Sequence, residues 1–390
     1  MIGRRRDRAT ERRLRALRAP HESQTQWRAW PVVSAVYSDR SVRRQRRSWV
    51  RVGLVPAVIL IAGVLALTPA GATVHRWIVQ TIVAHPRPQL VSLPASGRIL
   101  VAGPGGAWTV AADGSRHRLG PGSEATWSPH GLYIAVAGAG QLSALTPTGT
   151  TVWSVARPDV RQPRWFGPNG YRVAYLSAGT LRVIAGDGTG DRALANDVGG
   201  AAPAWRPAHA YALGYVQRPA TIVVRDVDTG QVAWSRHLAS APQLLSWSAD
   251  GSRLLVLTPS AAWLFDGSGR LVRHLAATAG PFRAGALSPN GAQLALLDDR
   301  AVTVTGLTRS SSSPRVVLTA PGARQLAWSP DNRWILVSWP PADEWVFVHA
   351  AGVPRVIAMS RIAEQFGAQR PVRGFPSLEG WCCAAGGGFG

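Results

Sequence analysis

Two adjacent cysteines are the most reactive side chains in the sequence. Cys382 and Cys383 are the only cysteines among 390 residues, and they lie close to the C-terminus. Adjacent cysteines can close a small disulfide ring, or each can pair with another chain. The exclusion of cysteine from the rest of the chain fits an oxidising compartment. We therefore expect a disulfide at this pair, with a structural or an intermolecular role.

The acidic residues and histidines form no pattern that predicts catalysis or metal binding. Asp187-Gly188-Thr189-Gly190-Asp191 is similar to part of a calcium loop, but it lacks the downstream glutamate of an EF-hand. Its place between two strand-like runs predicts a hairpin turn. The nine histidines are scattered singly, and no Gly-x-Ser-x-Gly motif is present. The sequence therefore predicts no catalytic residue, no metal site and no cofactor.

The sequence contains a recurring motif, which consists of a tryptophan, a tight turn and an apolar run. The elements that this motif builds must position any functional residues. Its clearest copy is Trp328-Ser329-Pro330-Asp331-Asn332, which is followed by Arg333-Trp334-Ile335-Leu336-Val337. Seven copies align, and their anchors are separated by 34 to 42 residues, close to the roughly 40–45 residues of a propeller repeat. The anchors are Leu93, Trp127, Trp165, Trp205, Trp247, Leu287 and Trp328.

The parts of this phrase favour β-sheets. Proline presets φ for a turn, and Asp-Gly or Asn-Gly tolerates positive φ. Short runs rich in Val and Leu read as strands, about four in each repeat. One such sheet cannot cover its own apolar face, whereas neighbours in a ring cover each other. We predict an all-β fold, a seven-bladed β-propeller over residues 90–360. The sequence also allows a count of six or eight blades, because the C-terminal tail, residues 361–390, could complete the first blade or form an extra element.

The repeats resemble those of TolB-like and WD40-like β-propellers, whose phrase is Trp-Ser-Pro-Asp-Gly before an apolar strand. The copy at Arg206-Pro207-Ala208-His209 departs most from it. Asp226-Val227-Asp228-Thr229-Gly230-Gln231-Val232-Ala233-Trp234 is similar to a docking phrase of quinoprotein-like propellers. Both resemblances imply a propeller, and neither fixes a function. Quinoprotein dehydrogenases hold an adjacent-cysteine disulfide against their cofactor, so the pair Cys382 and Cys383 is the feature that most favours an enzyme. The sequence shows neither that family's calcium-bound acid cluster nor its eighth blade, so we favour a non-enzymatic protein.

Most of the 17 tryptophans are explained by the repeat. A residue that recurs at the repeat period packs between blades. We assign this structural role to Trp127, Trp165, Trp205, Trp247, Leu287 and Trp328. Trp334, Trp339 and Trp345 lie away from the anchors. They are the best candidates for exposed aromatic residues, but we favour packing at the blade edges for them. Such residues could form a carbohydrate or peptide platform.

The first 51 residues are strongly basic. The net charge is +22, all 43 basic residues are arginine, and 15 of them fall in residues 1–51. Trp27, Trp30, Val33 and Tyr37 recur at helical spacing and predict an amphipathic helix. This helix could bind a cytoplasmic protein or lie on a membrane surface. Because an apolar span follows, we attribute the charge to topology and anionic lipid, and we disfavour nucleic-acid binding.

Residues 52–74 form an uncharged span of 23 residues. As a helix it would be about 34 Å long, enough to cross a bilayer core of about 30 Å. A signal peptide cleaved after Ala70-Gly71-Ala72 is the alternative, but the preceding region is long and we favour a retained anchor. Arginines before the span place the N-terminus in the cytoplasm and the propeller outside. Residues 75–89 form a spacer.

Three functions are compatible with this layout. The leading hypothesis is a membrane-tethered, extracytoplasmic propeller that binds or senses a protein or peptide. The second is a transmembrane signal relay, whose layout resembles that of anti-sigma factors. The third is a quinoprotein-like or lyase-like enzyme. The first predicts a single-pass protein of the cell membrane with an extracytoplasmic partner, and the second adds a cytoplasmic one.

Overall fold

The computed structural model describes residues 92–383, except positions 139, 168–170, 210, 308–312, 353–354 and 368–373. The predicted amphipathic helix, the predicted span 52–74 and the spacer 75–89 lie outside the described residues. In the part that the structure describes, no helix has the length and apolar character needed to cross a membrane.

The described chain consists almost entirely of short antiparallel strands. The first fifteen are β1 (Arg98–Gly103), β2 (Gly106–Val110), β3 (Arg116–Gly120), β4 (Glu124–Trp127), β5 (Ile134–Gly138), β6 (Gln141–Leu145), β7 (Thr151–Ala156), β8 (Val160–Trp165), β9 (Arg172–Ser177), β10 (Thr180–Ala185), β11 (Arg192–Ala195), β12 (Ala204–Trp205), β13 (Ala212–Gln217), β14 (Thr221–Asp226) and β15 (Val232–His237). The others are β16 (Leu244–Trp247), β17 (Arg253–Leu257), β18 (Ala261–Asp266), β19 (Leu271–Ala276), β20 (Ala284–Leu287), β21 (Gln293–Leu297), β22 (Ala301–Gly306), β23 (Arg315–Thr319), β24 (Gln325–Trp328), β25 (Trp334–Trp339), β26 (Glu344–His349), β27 (Val356–Ser360) and β28 (Ser377–Cys382). A 3-10 helix (Pro340–Ala342) and a one-turn helix α1 (Ile362–Gln365) complete the elements.

These strands form seven four-stranded sheets, which confirms the all-β, seven-bladed propeller. Blade 1 runs outward as β28-β1-β2-β3, and blades 2 to 7 each take the next four strands in chain order. The innermost strands β28, β4, β8, β12, β16, β20 and β24 contact one another in that order and close the ring. Closure is favourable because each blade covers the apolar face of its neighbour, and an open array would leave two faces exposed.

Strand β28 closes the ring, so the propeller extends beyond the predicted boundary at residue 360. It pairs with β1 and places Trp381 opposite Ile99, the same register in which Trp328 faces Ile335 in blade 7. The anchor of blade 1 is therefore Trp381 and not Leu93. Trp381 is buried and packs edge-on against Phe347 of blade 7, with 5.5 Å between ring centroids. The C-terminal tail thus completes the first blade.

The repeated turn has one hydrogen-bonding frame wherever serine follows the anchor. In blade 7 the Ser329 amide bonds to the Trp334 carbonyl, and the Trp334 amide returns a bond to Ser329 Oγ at 2.9 Å. Ser128, Ser248 and Ser288 make the same pair of bonds in their blades. The fourth turn residue has a positive φ, which is why Gly131, Gly251 and Gly291 stand there, with Asn332 in blade 7.

The anchor residues occupy the last position of the innermost strands. Trp165, Trp205, Trp247 and Trp328 are buried, whereas Trp127 and Leu287 are half-buried. Two of these indoles donate a hydrogen bond to the inner strand of the preceding blade: Trp205 to the Arg164 carbonyl at 2.9 Å and Trp328 to the Ala286 carbonyl at 3.0 Å. An anchor therefore fixes the spacing of neighbouring blades as well as filling the space between them.

Candidate functional site

A concave groove lies between blades 2 and 3. It has a volume of about 520 Å³, within the range of ligand and peptide pockets. The groove lies on the ring face that carries the turns after the innermost strands, which we call the turn face. One wall is the turn 128–133 of blade 2. The opposite wall is formed by Tyr171 and Arg172, and by residues 185–187 of blade 3.

Four exposed apolar side chains meet at this groove. Leu132, Tyr133, Val152 and Tyr171 expose between 42% and 63% of their surface and all line it. The other large exposed apolar residues, Val232, Leu271, Val272, Val316, Val356 and Ile357, lie on the outermost strands of blades 4 to 7. An apolar cluster that folding leaves uncovered indicates an interaction surface more strongly than scattered residues do.

The floor of the groove is aromatic and rigidly held. Trp153 donates an indole hydrogen bond to the Gly186 carbonyl at 2.8 Å, and this bond links the two blades. A side chain at Gly188 would meet the Trp153 ring at 2.7 Å, and the φ of Gly188 is +86°. Tyr133 stacks on Trp165 with 6.5 Å between centroids and 25° between the rings. The Tyr133 wall is therefore supported from below.

An ionic network also joins the two blades. Arg157 of blade 2 binds Asp191 of blade 3 at 2.5 Å, and Arg182 binds the same carboxylate at 3.0 Å. Tyr175 donates to Asp191 at 2.8 Å. Burial alone would raise the pKa of Asp191, but the hydrogen bonds from Arg182, Tyr175 and Arg157 outweigh it and lower that pKa. Burial and the bond to Asp191 raise the pKa of Tyr175 to about 12. Asp191 therefore stays ionised and Tyr175 protonated.

The rim of the groove carries one ionised carboxylate. Asp187 accepts hydrogen bonds from the amide and hydroxyl of Thr189, at 2.9 and 2.7 Å. These bonds lower the pKa of Asp187. The charge of Arg172, on the same wall, also lowers the pKa of Asp187, and its guanidinium lies 4.6 Å from the centre of the Tyr211 ring. An apolar groove with a carboxylate at one end suits apolar side chains that accompany a basic group.

The wall turn 128–133 is held from behind by blade 1. Arg98 donates to the Gly131 carbonyl at 2.7 Å and its guanidinium lies 4.8 Å from the centre of the Trp127 ring. Cys382 and Cys383 form a disulfide, and Cys383 Sγ lies 3.8 Å from the Pro129 carbonyl oxygen. The predicted disulfide therefore occurs within one chain, and it packs against the groove wall.

A second ionisable cluster lies on the innermost strands of blades 1 to 3. Glu379 of β28 accepts a hydrogen bond from the Ala125 amide and lies near Glu124 and Arg164. The residue as a whole is partly exposed, but its carboxyl group is desolvated, and this raises the pKa to about 7. Arg164 opposes the shift and Glu124 adds to it. The Glu124 carboxylate accepts a hydrogen bond from the Gln162 amide.

Several other predicted features can be compared with the structure. The Asp187–Asp191 segment is a hairpin turn between β10 and β11, as expected. Within the described residues, no group of three or more His, Cys, Asp or Glu side chains could hold a metal ion. Trp334 and Trp345, the candidates for exposed aromatic residues, are buried, in line with the favoured packing role. The Trp345 ring lies 5.3 Å from the ring of Phe366, which follows α1. The residues Trp27, Trp30, Val33 and Tyr37 lie outside the described part.

The groove residues were not predicted from the sequence. Leu132, Tyr133 and Tyr171 lie in turns that the repeat explains only as backbone. A signal was available once the turns are aligned on their serines. Where blade 2 has Leu132-Tyr133, blade 5 has Ser252-Arg253 and blade 6 has Ala292-Gln293. The apolar pair is thus peculiar to one blade among these three.

Comparison with solved structures supports the fold. A putative 6-phosphogluconolactonase from Bacteroides uniformis has a TM-score of 0.53 and 14% identity, over 72% of this chain and 99% of that one. Kluyveromyces lactis Hsv2 has a TM-score of 0.55 and 12% identity, over 68% and 96%. The β-propeller domain of Cps50 (Swd1) from Myceliophteria thermophila has a TM-score of 0.50 and 12% identity, over 62% and 87%. No protein-family model and no curated protein matches the chain. Likeness at these identities shows the β-propeller fold alone.

Proposed function

We propose that this protein is a non-enzymatic binding module whose groove between blades 2 and 3 takes a protein or peptide segment. The clustering of Leu132, Tyr133, Val152 and Tyr171 at one groove carries this proposal. Exposed tyrosines are favoured at interfaces because they bury a large area at low entropic cost. The ionised Asp187 at the rim selects segments in which a basic residue accompanies apolar ones. The resemblance of the repeats to TolB-like and WD40-like propellers supports the same role.

We further propose that the propeller is tethered outside the cell membrane by residues 52–74. The support comes from the uncharged span, from the arginines that precede it and from the confinement of cysteine to one pair. The chain enters the propeller on the turn face, because the Leu93 amide bonds to the Ala112 carbonyl in the turn between β2 and β3.

Selection of binding peptides by the full-length protein tests the groove. Peptides from a random display library should be enriched in apolar residues accompanied by lysine or arginine. Their affinity should fall at least about tenfold for a Tyr133→Ser/Tyr171→Ser variant, since two buried contacts of 1–2 kcal/mol are lost. Val316→Ser is the control, because it removes an equally exposed apolar side chain (57%) from an outer strand. Equal binding by the double variant and the wild type would contradict the proposal.

A further inference from the structure

The adjacent cysteines occupy the one repeat turn that the chain cannot close by itself. In blades 2, 5, 6 and 7 the anchor is followed by a serine that starts the turn into the next strand. In blade 1 the anchor Trp381 comes from the C-terminal strand and the next strand is β1, far away in sequence. Cys382 and Cys383 stand at the serine position and at the one after it. The disulfide therefore lies where the other blades have this turn, at the point where the C-terminal strand β28 meets β1 and closes the ring.

The disulfide packs directly against the wall of the groove. A Cβ added at Gly131 would lie 2.8 Å from Cys383 Sγ and 3.6 Å from Cys382 Sγ. A sulfur in a disulfide carries no proton, so the approach of Cys383 Sγ to the Pro129 carbonyl is a packing contact. Both sulfurs thus rest on the main chain of the turn that presents Leu132 and Tyr133 to the groove. Any rearrangement of the pair is transmitted to that turn.

The disulfide restricts the backbone conformation of Cys382 and Cys383. Cys383 has a φ of +60°, a conformation that side chains other than glycine and asparagine rarely adopt. A disulfide between neighbours encloses the peptide bond that joins them, so it restricts the rotation of both residues. Two free thiols impose no such restriction. After reduction, Cys383 is free to return to a negative φ, and its sulfur then leaves Gly131 and Pro129.

We propose that Cys382–Cys383 is a thiol–disulfide exchange site whose redox state sets the shape of the groove; its effect on binding rests on the function proposed above. The substrate is a dithiol. One of its thiolates attacks an Sγ, the cysteine S–S bond breaks and a mixed disulfide forms. The second thiol of the reductant then attacks the mixed disulfide. Two protons and two electrons pass to the cysteines, which end as thiols, while the reductant ends as a disulfide.

The site is accessible to such a reagent. Both cysteines are half-buried and not enclosed. Arg98, which is hydrogen-bonded to Gly131, lies beside the pair, since a Cβ at Gly131 would lie 2.7 Å from its guanidinium. In general a cation beside a cysteine favours its thiolate, which is both the nucleophile and the leaving group of the exchange. The reduced pair therefore re-forms its bond readily, as reversible control requires.

Hydrogen exchange on the full-length protein tests the coupling without any ligand. Oxidised protein and protein reduced by dithiothreitol are compared at the amides of Ser128, Gly131 and Tyr133, which are all hydrogen-bonded within the turn. We expect exchange at least about fivefold faster after reduction. The amides of Ser248, Gly251 and Arg253 make the same bonds in blade 5 and are the internal control, with no change expected. Unchanged exchange at 128–133, or an equal change in both turns, would overturn the inference.

A Cys382→Ser/Cys383→Ser variant distinguishes the effect of losing the disulfide from any other effect of dithiothreitol. It should match the reduced protein at residues 128–133 and should not respond to dithiothreitol; a response would overturn the inference. The affinity of groove peptides is measured in parallel in both redox states. If exchange at 128–133 is unchanged and peptides bind equally in both states, this inference fails and the proposed function stands. If exchange responds but no peptide binds at the groove, the exchange site stands and the proposed function fails.

Discussion

Replacing Glu379 with glutamine should stabilise the propeller at neutral pH and not at acid pH. Glu379 lies on the ring-closing strand β28, where desolvation raises its pKa from 4.5 to about 7. The Ala125 amide donates a hydrogen bond to it, and a glutamine oxygen can accept the same bond. The substitution therefore removes the charge and preserves the shape.

The size of the effect follows from the difference between the two pKa values. Below pH 4.5 the carboxyl is protonated in both the folded and the unfolded protein, so the wild type bears no penalty. As the pH rises towards 7, the unfolded state ionises first and folding stability falls. Above this range the loss is complete, at about 3 kcal/mol. Glu379→Gln should thus be more stable than wild type by up to about 3 kcal/mol at pH 8, and the difference should vanish by pH 4.5.

Urea unfolding of the full-length protein, followed by tryptophan fluorescence at pH 4.5, 6 and 8, measures this difference. The contributions of the other acidic groups to the unfolding free energy cancel when the variant is compared with the wild type at the same pH. Asp197→Asn is the control, because that side chain is 66% exposed and its loss should change little at any pH. A variant less stable than the wild type at pH 8 would mean that Arg164 stabilises the carboxylate more than burial penalises it, and the reasoning would be wrong.

Two further predictions concern the junction of blades 2 and 3. Asp191→Asn should lower the unfolding free energy by about 2–4 kcal/mol, because it leaves Arg157 and Arg182 without their carboxylate; urea unfolding should show almost no loss for Asp159→Asn, whose pair with Arg161 is exposed. Since the pKa of Asp191 is lowered, its stabilisation should be lost as the pH falls below about 4. Gly188→Ala should weaken groove peptides and lower the melting temperature more than Gly190→Ala does. Both glycines have a positive φ, but only at position 188 would the added carbon meet the Trp153 ring; equal effects would mean that the φ preference alone is being measured.

The number of blades could be predicted because the repeat is local. An anchor, a serine and a residue that tolerates positive φ fall within six positions of Trp328, and their hydrogen bonds close within the same turn. The closing strand could not be placed, because its pairing with β1 spans almost the whole propeller. Its sequence, Ser-Leu-Glu-Gly-Trp-Cys, contains a glycine and a glutamate and lacks the apolar run that follows other anchors. Trp381 is recognisable as an anchor only from its register against Ile99.

The exposure of individual aromatic residues could not be predicted, because packing between distant segments decides it. Trp345 lies in the continuous apolar run Trp345–Val348 of β26, and Phe366 covers it from the link between blades 7 and 1. Tyr171 follows the innermost strand of blade 3 and is 63% exposed. Neither outcome follows from residue type, since both side chains are large and amphipathic.

The regularity of the turns indicates where selection for binding can act. Ser128, Ser248, Ser288 and Ser329 hold the same backbone frame in four blades, and none of these frames uses the side chains at the fifth and sixth positions of the turn. Those side chains are polar or small in blades 5 and 6, whereas blade 2 places Leu132 and Tyr133 there, more than two-fifths exposed. Folding gains little from Leu132, about half of which stays in water, whereas Tyr133 stacks on Trp165 and keeps 42% of its surface exposed. A partner at the proposed groove would cover what this pair leaves exposed, and Tyr171 extends the same surface across the groove. The scaffold thus comes from the features that the blades share, and the proposed binding groove comes from residues that distinguish blades 2 and 3.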